Sequence, residues 1–129
     1  MELRIDTTDG TPIYLQIVDQ IKRSVAGGRL KPEDPLPSVR QLALDLTINP
    51  NTVARAYLEL EHQGLIYKRQ GQGTFVCTQA LGAAKRERNK IVSGLFQKAI
   101  EEAGRFGMSS AEITAVFEQQ LQQSELEKV

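Results

Sequence analysis

The sequence has few of the residues that most often carry chemistry. Its 129 residues include one cysteine, one histidine and no tryptophan, and aromatic residues make up 5%. A single cysteine, Cys77, excludes an internal disulfide and fits a reducing compartment. Neither Cys77 nor His62 has a second metal ligand at a suitable spacing. Because paired carboxylates, a nucleophile elbow and a phosphate loop are missing as well, we expect no enzyme, no metal and no cofactor.

Long apolar runs are also missing. No stretch approaches the roughly 20 apolar residues of a membrane span, and the first residues lack the apolar stretch of a signal peptide. We therefore expect a soluble, cytoplasmic protein without a membrane partner. The formal net charge is zero, from 16 basic and 16 acidic residues, which argues against indiscriminate nucleic-acid binding.

The acidic residues are unevenly distributed along the chain. The segment from Leu46 to Leu58 has one basic residue and no acidic one, and the segment from His62 to Arg86 has four basic residues and no acidic one. Because screening confines electrostatic attraction to about 10 Å, a local basic face can attract phosphates under a neutral total. We predict that these two segments face DNA.

The segment from Asn49 to Glu61 predicts the helix around which the chain is organised. Asn49 before Pro50 is a strong helix start, with Asn49 as the N-cap. The inward face consists of apolar residues at helical spacing, namely Val53, Ala56, Tyr57 and Leu60. The first turn has short polar side chains and no carboxylate, and we expect its free N–H groups to attract phosphates. By itself this pattern fits a DNA-reading helix and an ordinary amphipathic helix equally well.

The flanking segments favour the DNA-reading helix. Residues 37–46 predict a shorter helix with Ser38 and Gln41 as a capping box, and only a short turn separates the two helices. Downstream, Gly64 ends the central helix, and two strand-like runs flank a glycine-rich turn at residues 70–73. A helix, a turn, a second helix and a glycine-tipped hairpin, in this order, are typical of a winged helix.

The preceding segments complete the predicted domain. Thr11 and Pro12 predict the cap and the first position of an earlier helix. We expect one face of this helix to pack on the helix-turn-helix, because apolar residues recur there at intervals of four, joined by Tyr14 and Val18, namely Ile13, Ile17, Ile21 and Val25. Residues 30–37 form a proline-rich connector that is too stiff for a helix. We expect the connector to place Leu30 and Leu36 at the edge of the core.

The remaining chain predicts two helices with an interruption from Gly104 to Gly107. Residues 78–84 form either a linker or the first turn of a new helix, and Ser109 with Glu112 forms a second capping box. The apolar faces are too broad for the two helices to bury against each other, so the helices either fold back onto the first domain or pair with a second copy. We favour a homodimer through residues 80–129, because a twofold pair also spaces two reading helices along a duplex.

The motifs of the first domain resemble the GntR family of bacterial transcription regulators. The resemblance covers about residues 10 to 77 and spans five consecutive elements. The motifs are Leu36-Pro37-Ser38-Val39-Arg40-Gln41-Leu42-Ala43, Asn49-Pro50-Asn51-Thr52-Val53-Ala54-Arg55-Ala56-Tyr57, Leu60-Glu61, Gly64-Leu65-Ile66 and Gly71-Gln72-Gly73-Thr74-Phe75-Val76. The short two-helix tail is similar to that of the YtrA-like branch, whose members are dimers and often regulate operons for ABC-type transporters.

The resemblance implies roles for the matching positions. At the start of the second helix, Ser38 and Arg40 match positions that touch the DNA backbone. In the recognition helix, Asn51, Thr52 and Arg55 match positions that face the major groove. At the wing tip, which enters or borders the minor groove, the matching residues are Gly71, Gln72 and Gly73. Many relatives outside this branch have arginine where this chain has Ala54, which leaves Arg55 as the main candidate for a guanine contact.

Several of these residues also have a purely structural explanation. Thr52 can simply support the helix start, and the tight turn needs Gly71 and Gly73 whether or not the wing meets DNA. Lys68 and Arg69 are suited both to solvating an edge strand and to meeting phosphates. We include both among the predicted DNA contacts.

Together, these patterns predict a mainly α protein with a small β-hairpin wing. A winged helix-turn-helix DNA-binding domain spans residues 1–77 and a helical dimerisation tail spans residues 78–129. The predicted function is a dimeric, sequence-specific transcription regulator, a repressor that binds a near-palindromic operator in double-stranded DNA. A small-molecule effector at the dimer or domain junction is a further candidate partner. The alternative is a winged-helix protein-interaction module without DNA binding, because a fold does not determine a function.

Overall fold

The computed structural model of the chain describes residues 1–127, which contain five helices and one three-stranded sheet. The elements are α1 (Ile13–Ala26), β1 (Pro35–Leu36), α2 (Val39–Leu46), α3 (Pro50–His62), β2 (Ile66–Arg69), β3 (Gly73–Val76), α4 (Ala80–Arg105) and α5 (Ser110–Glu127). The chain divides into two compact units, Met1–Arg88 and Asn89–Val129. None of the helices within residues 1–127 combines the length and the apolar character that crossing a membrane requires. The predicted winged helix-turn-helix followed by two helices is confirmed.

The core of the first unit lies between α1, the helix-turn-helix and the sheet. Ile17, Ile21 and Val25 of α1 are fully buried at the predicted spacing of four residues. The predicted inward face of α3 is buried as well, namely Val53, Ala56, Tyr57 and Leu60. Burial of these apolar side chains is the main force that holds α3 in place, since removing apolar surface from water dominates folding.

Local hydrogen bonds set the ends of α2 and α3. Asn49 is the N-cap of α3 as predicted, and its side-chain oxygen accepts a hydrogen bond from the Asn51 N–H at 2.8 Å. The Ser38 hydroxyl caps α2 by accepting from the Gln41 N–H at 3.1 Å. The second half of the predicted capping box is wrong, because the Gln41 side chain donates to the Asp45 carboxylate at 2.7 Å. A hydrogen bond to the charged Asp45 carboxylate is stronger than one to a neutral backbone group, so it sets the orientation of the Gln41 amide.

Left-handed residues terminate both helices. Thr47 after α2 has a φ of 55°, and the next N–H, of Ile48, donates to the Ala43 carbonyl at 3.0 Å. Gly64 after α3 has a φ of 74°, and the Leu65 N–H donates to the Leu60 carbonyl at 3.0 Å. This is a Schellman ending, so the prediction that Gly64 terminates the central helix is confirmed.

The first helix begins slightly later than the sequence predicted. Pro12 is the N-cap of α1 and makes no side-chain capping bond, and the helix starts at Ile13. The prediction of Thr11 as the cap is therefore wrong. The Thr11 hydroxyl donates instead to the Asp9 carboxylate at 3.0 Å, a bond within the preceding turn.

The wing contains one strand more than the predicted hairpin. The strand order is β1-β3-β2, and both pairs are antiparallel. Residues 35–36 of the connector pair with β3, so that Leu36 lies opposite Thr74. Pro35 has no N–H to donate, and an edge strand tolerates this loss. Leu36 is buried and Leu30 packs against the core, as expected.

The second unit contains most of α4 and the whole of α5. Helix α4 begins at Ala80, and the buried Ala80 and Ala84 belong to the core of the first unit, so the small-residue stretch is the first turn of a helix. The capping box at the start of α5 is confirmed, because the Glu112 N–H donates to the Ser109 hydroxyl at 3.2 Å and the Ser109 N–H donates to the Glu112 carboxylate at 3.0 Å. Phe96 and Phe117 meet edge to face with their centroids 5.7 Å apart.

The two tail helices and the turn between them expose large apolar side chains in the single chain. At least 38% of the surface of each is accessible to solvent, and Phe106 reaches 81%. The exposed residues are Ile91, Val92, Leu95, Phe96, Ile100, Phe106, Val116, Phe117, Leu121 and Leu126. Contiguous exposed apolar patches of this kind usually mark a surface that binds a partner.

Candidate nucleic-acid interface

The outer surface of α3 carries the predicted base-reading residues. Asn51, Ala54 and Arg55 are exposed, and Thr52 is half-buried at the edge of the packed face. No acidic residue lies between Pro50 and Leu58. The exposed part of the first two turns therefore offers amide, methyl and guanidinium groups without a carboxylate to repel a phosphate.

The backbone at the start of α3 has fewer free donors than expected. Pro50 has no N–H, the Asn51 N–H donates to the Asn49 side chain, and the Thr52 N–H donates to the Asn49 carbonyl at 3.0 Å. The expectation of free N–H groups at this helix end is therefore wrong. The Asn-Pro pair that starts the helix thus leaves no free N–H at Pro50, Asn51 or Thr52, so side chains supply most of the donors at this end.

Arg55 contacts the first helix. Its guanidinium carbon lies 3.9 Å from the centroid of the Tyr14 ring, in the geometry of a cation–π stack. Tyr14 is half-buried on α1, and Arg55 is exposed. The sequence interpretation treated Tyr14 as a packing residue. No local signal could have linked the two, because they are far apart in the chain and only the packing of α1 on α3 brings them together.

The predicted backbone contacts lie at the start of α2. Ser38 and Arg40 are both exposed. Within residues 1–127 the Arg40 side chain has no hydrogen bond or ion pair, so its guanidinium is available to a phosphate. The Ser38 oxygen accepts the capping bond, but its own O–H remains able to donate.

Two contacts bring the start of α2 next to both α3 and the wing. The Tyr57 hydroxyl of α3 donates to the Pro37 carbonyl at 2.7 Å, and Leu36 pairs with Thr74 of β3. Burial raises the pKa of the Tyr57 phenol, which therefore remains a protonated donor at neutral pH. The three predicted contact regions are thus attached to one another through the segment from Leu36 to Ser38.

The wing tip is an exposed turn that requires glycine for its backbone. The Gln72 N–H donates to the Arg69 carbonyl at 2.9 Å, which closes a turn around Gln70 and Gly71. Gly71 has a φ of 76° and Gly73 a φ of 112°, values that other residues rarely adopt. A Cβ atom at either position would meet no neighbouring atom within 4 Å. The backbone conformation, and not lack of space, therefore accounts for these glycines.

The basic residues of the wing are engaged within the protein. The Lys68 ammonium lies 3.7 Å from the Glu61 carboxylate. Arg69 pairs with Glu33 at 3.1 Å, donates to the Tyr67 hydroxyl at 2.5 Å, and lies 4.6 Å from the centroid of the Phe75 ring. Both side chains are exposed, so such pairs are weak and can exchange for a phosphate.

Glu33 is the centre of a polar cluster that the sequence analysis did not anticipate. Its carboxylate accepts from the Tyr67 hydroxyl, from the Thr78 hydroxyl at 2.8 Å, and from Arg69. These bonds, led by that of Tyr67, hold the pKa of the Glu33 carboxyl below its usual value, and the bond to Glu33 raises the pKa of the Tyr67 phenol. Glu33 has a left-handed φ of 70°, which costs energy outside glycine.

The part of the chain that the structure describes offers neither a metal site nor a reactive cysteine. Within residues 1–127 no three His, Cys, Asp or Glu side chains are grouped so that they could hold a metal ion. Cys77 is half-buried, and burial, followed by the charge of Glu33, raises the pKa of its thiol. A raised pKa keeps the thiol protonated and unreactive.

The helix-turn-helix of α2 and α3 with its glycine-tipped wing defines the class of protein, a winged helix-turn-helix. Residues 13–76 match the family described as "Bacterial regulatory proteins, gntR family". A solved transcriptional regulator from Oenococcus oeni is 39% identical, has a TM-score of 0.78, and matches over 91% of this chain and 97% of its own. The chain belongs to the gntR family of bacterial regulatory proteins, so the resemblance predicted from the sequence is confirmed.

Relatives of known sequence or structure extend this comparison. The transcriptional repressor YtrA of Bacillus subtilis is 47% identical over 78 residues, which are 60% of this chain and 60% of YtrA. The uncharacterised regulator YhcF of the same organism is 36% identical, over 79% of this chain and 84% of YhcF. The DNA-binding domain of AraR, solved in complex with operator ORX1, is 28% identical with a TM-score of 0.52, over 60% of this chain and 96% of that domain.

Proposed function

We propose that this protein is a sequence-specific DNA-binding transcription regulator that represses a promoter by occluding it. The observation that carries the proposal is the exposed, carboxylate-free surface of α3 with Asn51 and Arg55. Amide and guanidinium groups form bidentate bonds with the edges of adenine and guanine. Membership of the gntR family and the likeness to an operator-bound domain of AraR support the same function.

The proposed contacts divide into positioning and base-reading groups. Phosphates are held by Ser38, Arg40, Lys68 and Arg69, the last two after exchanging their internal carboxylate partners. Base edges are read by Asn51, Thr52 and Arg55, and the Ala54 methyl group meets a thymine methyl. The wing tip formed by Gly71, Gln72 and Gly73 borders the minor groove.

A homodimer through residues 80–129 is part of the proposal. The exposed apolar faces of α4 and α5 support it, because an isologous pair buries the same surface from both copies. A twofold dimer would bind a near-palindrome with one recognition helix in each half-site. If the dimer neutralises about 8 phosphates, the logarithm of the binding constant falls against the logarithm of salt with a slope of about −7.

A small-molecule effector at the dimer junction is a further part of the proposal. Helices α4 and α5 form an apolar groove of about 490 Å³, which is lined by Phe96, Ile100, Met108 and Phe117 among others. This volume is in the range of ligand pockets, although the groove is open in the single chain and would need a second copy to close it. A rise in the unfolding temperature with an added metabolite would support an effector. No shift with any of a broad set would count against it.

The proposal is tested by selecting bound duplexes from a random pool and then footprinting the winner. We expect a near-palindrome to be enriched. Arg55→Ala should weaken specific binding by about 30-fold or more, because one bidentate base contact of roughly 1–3 kcal/mol is lost in each of the two half-sites. Arg23→Ala is the matched control, because Arg23 is also an exposed arginine but lies on α1, where it is ion-paired with Asp19 at 3.0 Å. Failure to enrich any symmetric duplex would contradict the proposal.

A protein-interaction module is the second candidate, and one observation favours it. Leu44 of α2 is 68% exposed and Leu58 of α3 is 54% exposed, so the helix-turn-helix has apolar side chains at its surface. A protein partner could cover these leucines. One dominant protein in a pull-down that Leu58→Glu abolishes, together with no shift of DNA at low salt, would place this function above DNA binding.

A further inference from the structure

Two arginines of the candidate interface lie over aromatic rings, and they differ in the hydrogen bonds that their N–H groups make. Arg55 lies over the Tyr14 ring, and Arg69 lies over the Phe75 ring. The edge of Arg69 donates to Glu33 and to Tyr67. Within residues 1–127, the edge of Arg55 has no hydrogen bond and no ion pair. Arg55 therefore contacts an aromatic ring while its N–H groups keep no hydrogen-bond partner within residues 1–127.

This arrangement matches what recognition of guanine requires. A guanidinium reads the O6 and N7 atoms of guanine through two N–H groups on one edge, in the plane of the base. A stack on an aromatic ring uses only the planar face, so the two contacts are compatible. The ring also restricts a side chain with many rotamers, so less conformational freedom is lost when DNA binds.

We propose that Tyr14 is a positioning residue that orders Arg55 for a bidentate contact with a guanine in each half-site. The inference rests on the proposed DNA-binding function. Tyr14 is half-buried in the packing of α1 on α3, so its ring is held by the core and does not move with Arg55. A residue of the first helix thereby takes part in base recognition without touching DNA.

The test is a double-mutant cycle on the selected operator. Tyr14→Leu removes the ring and keeps an apolar side chain, and Tyr14→Phe keeps the ring. We expect Tyr14→Phe to bind within about twofold of the wild type and Tyr14→Leu to bind the operator about 10-fold more weakly, the loss of a partly desolvated cation–π contact. Affinity for non-specific DNA and the salt slope should not change. In an Arg55→Ala background, Tyr14→Leu should have no further effect.

Two results would overturn the inference while leaving the proposed function intact. One is a Tyr14→Leu protein that is folded and binds the operator as tightly as the wild type. The other is a Tyr14→Leu defect that persists unchanged in Arg55→Ala, which would indicate a structural role. A wild type without any sequence-specific binding would overturn the proposed function and this inference together.

A measurement without DNA keeps the inference testable should Tyr14→Leu fold poorly. Side-chain ¹⁵N relaxation of the wild type compares the Arg55 Nε–H with that of Arg40, an exposed arginine that makes no hydrogen bond, ion pair or ring contact within residues 1–127. We expect Arg55 to be more ordered than Arg40 and to keep this order in Tyr14→Phe. Equal mobility of the two groups would overturn the inference.

Discussion

The Tyr57 side chain connects α3 to the segment that precedes α2. Tyr57 has 1% of its surface exposed, and its hydroxyl donates to the Pro37 carbonyl. Its ring fills the core, and its polar tip satisfies a backbone acceptor next to the cap of α2. One residue thus couples packing to the geometry of the predicted contact surface, and the two contributions can be separated by substitution.

We expect Tyr57→Phe to lower the free energy of unfolding by about 1 kcal/mol, because the ring still fills its space while the Pro37 carbonyl loses its partner. Urea unfolding followed by circular dichroism measures the change. Tyr14→Phe is the matched control, since the Tyr14 hydroxyl makes no hydrogen bond within residues 1–127, and its effect should stay within about 0.5 kcal/mol. Equal effects of the two substitutions would contradict this prediction.

Among the secondary-structure elements, the three-stranded sheet combines buried residues such as Ile66 and Val76 with charged groups on its outer side. Helices α1 and α3 are held by fully buried side chains, whereas the outer side of the sheet has the exposed cluster of Glu33, Tyr67, Arg69 and Thr78. The cluster joins the connector to β2 and to the chain that follows β3. Interactions of this kind respond to pH and salt, so the wing should respond to both more strongly than the helices.

The stability of the wing should therefore fall in acid. The pKa of Glu33 is lower in the folded protein than in the unfolded chain, so its contribution is present above its unfolded pKa of about 4.3 and is lost as the pH falls through the folded value. We expect Glu33→Gln to be less stable than the wild type at pH 7, and we expect this difference to shrink below pH of about 4. Urea unfolding across this range measures it.

The control for this pH dependence is Glu2→Gln, a substitution at an exposed glutamate outside the cluster. Its difference from the wild type should stay the same across the range. A gap between Glu33→Gln and the wild type that remains constant down to pH of about 3 would show that Glu33 contributes through its shape and not through its charge.

The exposed apolar faces of the tail become important when the molecule is considered as a whole. The first unit closes its own core, whereas the second leaves Leu95 59% exposed and Phe106 81% exposed. Covering such surfaces is favourable by about 25 cal/mol for each Å² of apolar area. The proposed homodimer would supply that cover and would also set the spacing of the half-sites.

We expect Leu95→Glu to dissociate the dimer, because a carboxylate would be buried without a partner. Sedimentation equilibrium should give a dimer for the wild type and a monomer for Leu95→Glu at ~10 µM, a concentration that separates interfaces of ordinary strength. The unfolding temperature of the wild type should rise with protein concentration, and that of the variant should not. Gln97→Glu is the control, because Gln97 lies one turn from Glu101 on the polar side of α4. A wild type that remains monomeric would contradict the proposal.

Much of the fold followed from local patterns. Asn49 before Pro50 located the start of α3, Gly64 its end, and the three- and four-residue spacing its buried face, because caps, prolines and periodicity act within a few residues. Short-range patterns could not show that Pro35 and Leu36 form a strand, since a two-residue strand exists only where β3 offers a partner. The expectation of free N–H groups at the start of α3 was wrong for a local reason, because the predicted N-cap Asn49 itself accepts from the Asn51 N–H.

The sequence by itself determined the order of the elements, the inward faces of the helices, the turn at the wing tip and the family resemblance. Only the tertiary structure decided which charged side chains are engaged. It placed Arg55 on Tyr14 and Arg69 on Glu33, pairs whose members are far apart in the chain. The physical reason is the distance along the chain over which each interaction acts. Propensities and caps act between residues that are neighbours in the chain. Stacking and ion pairing act between residues that are neighbours in space, and these residues meet only after the core has formed.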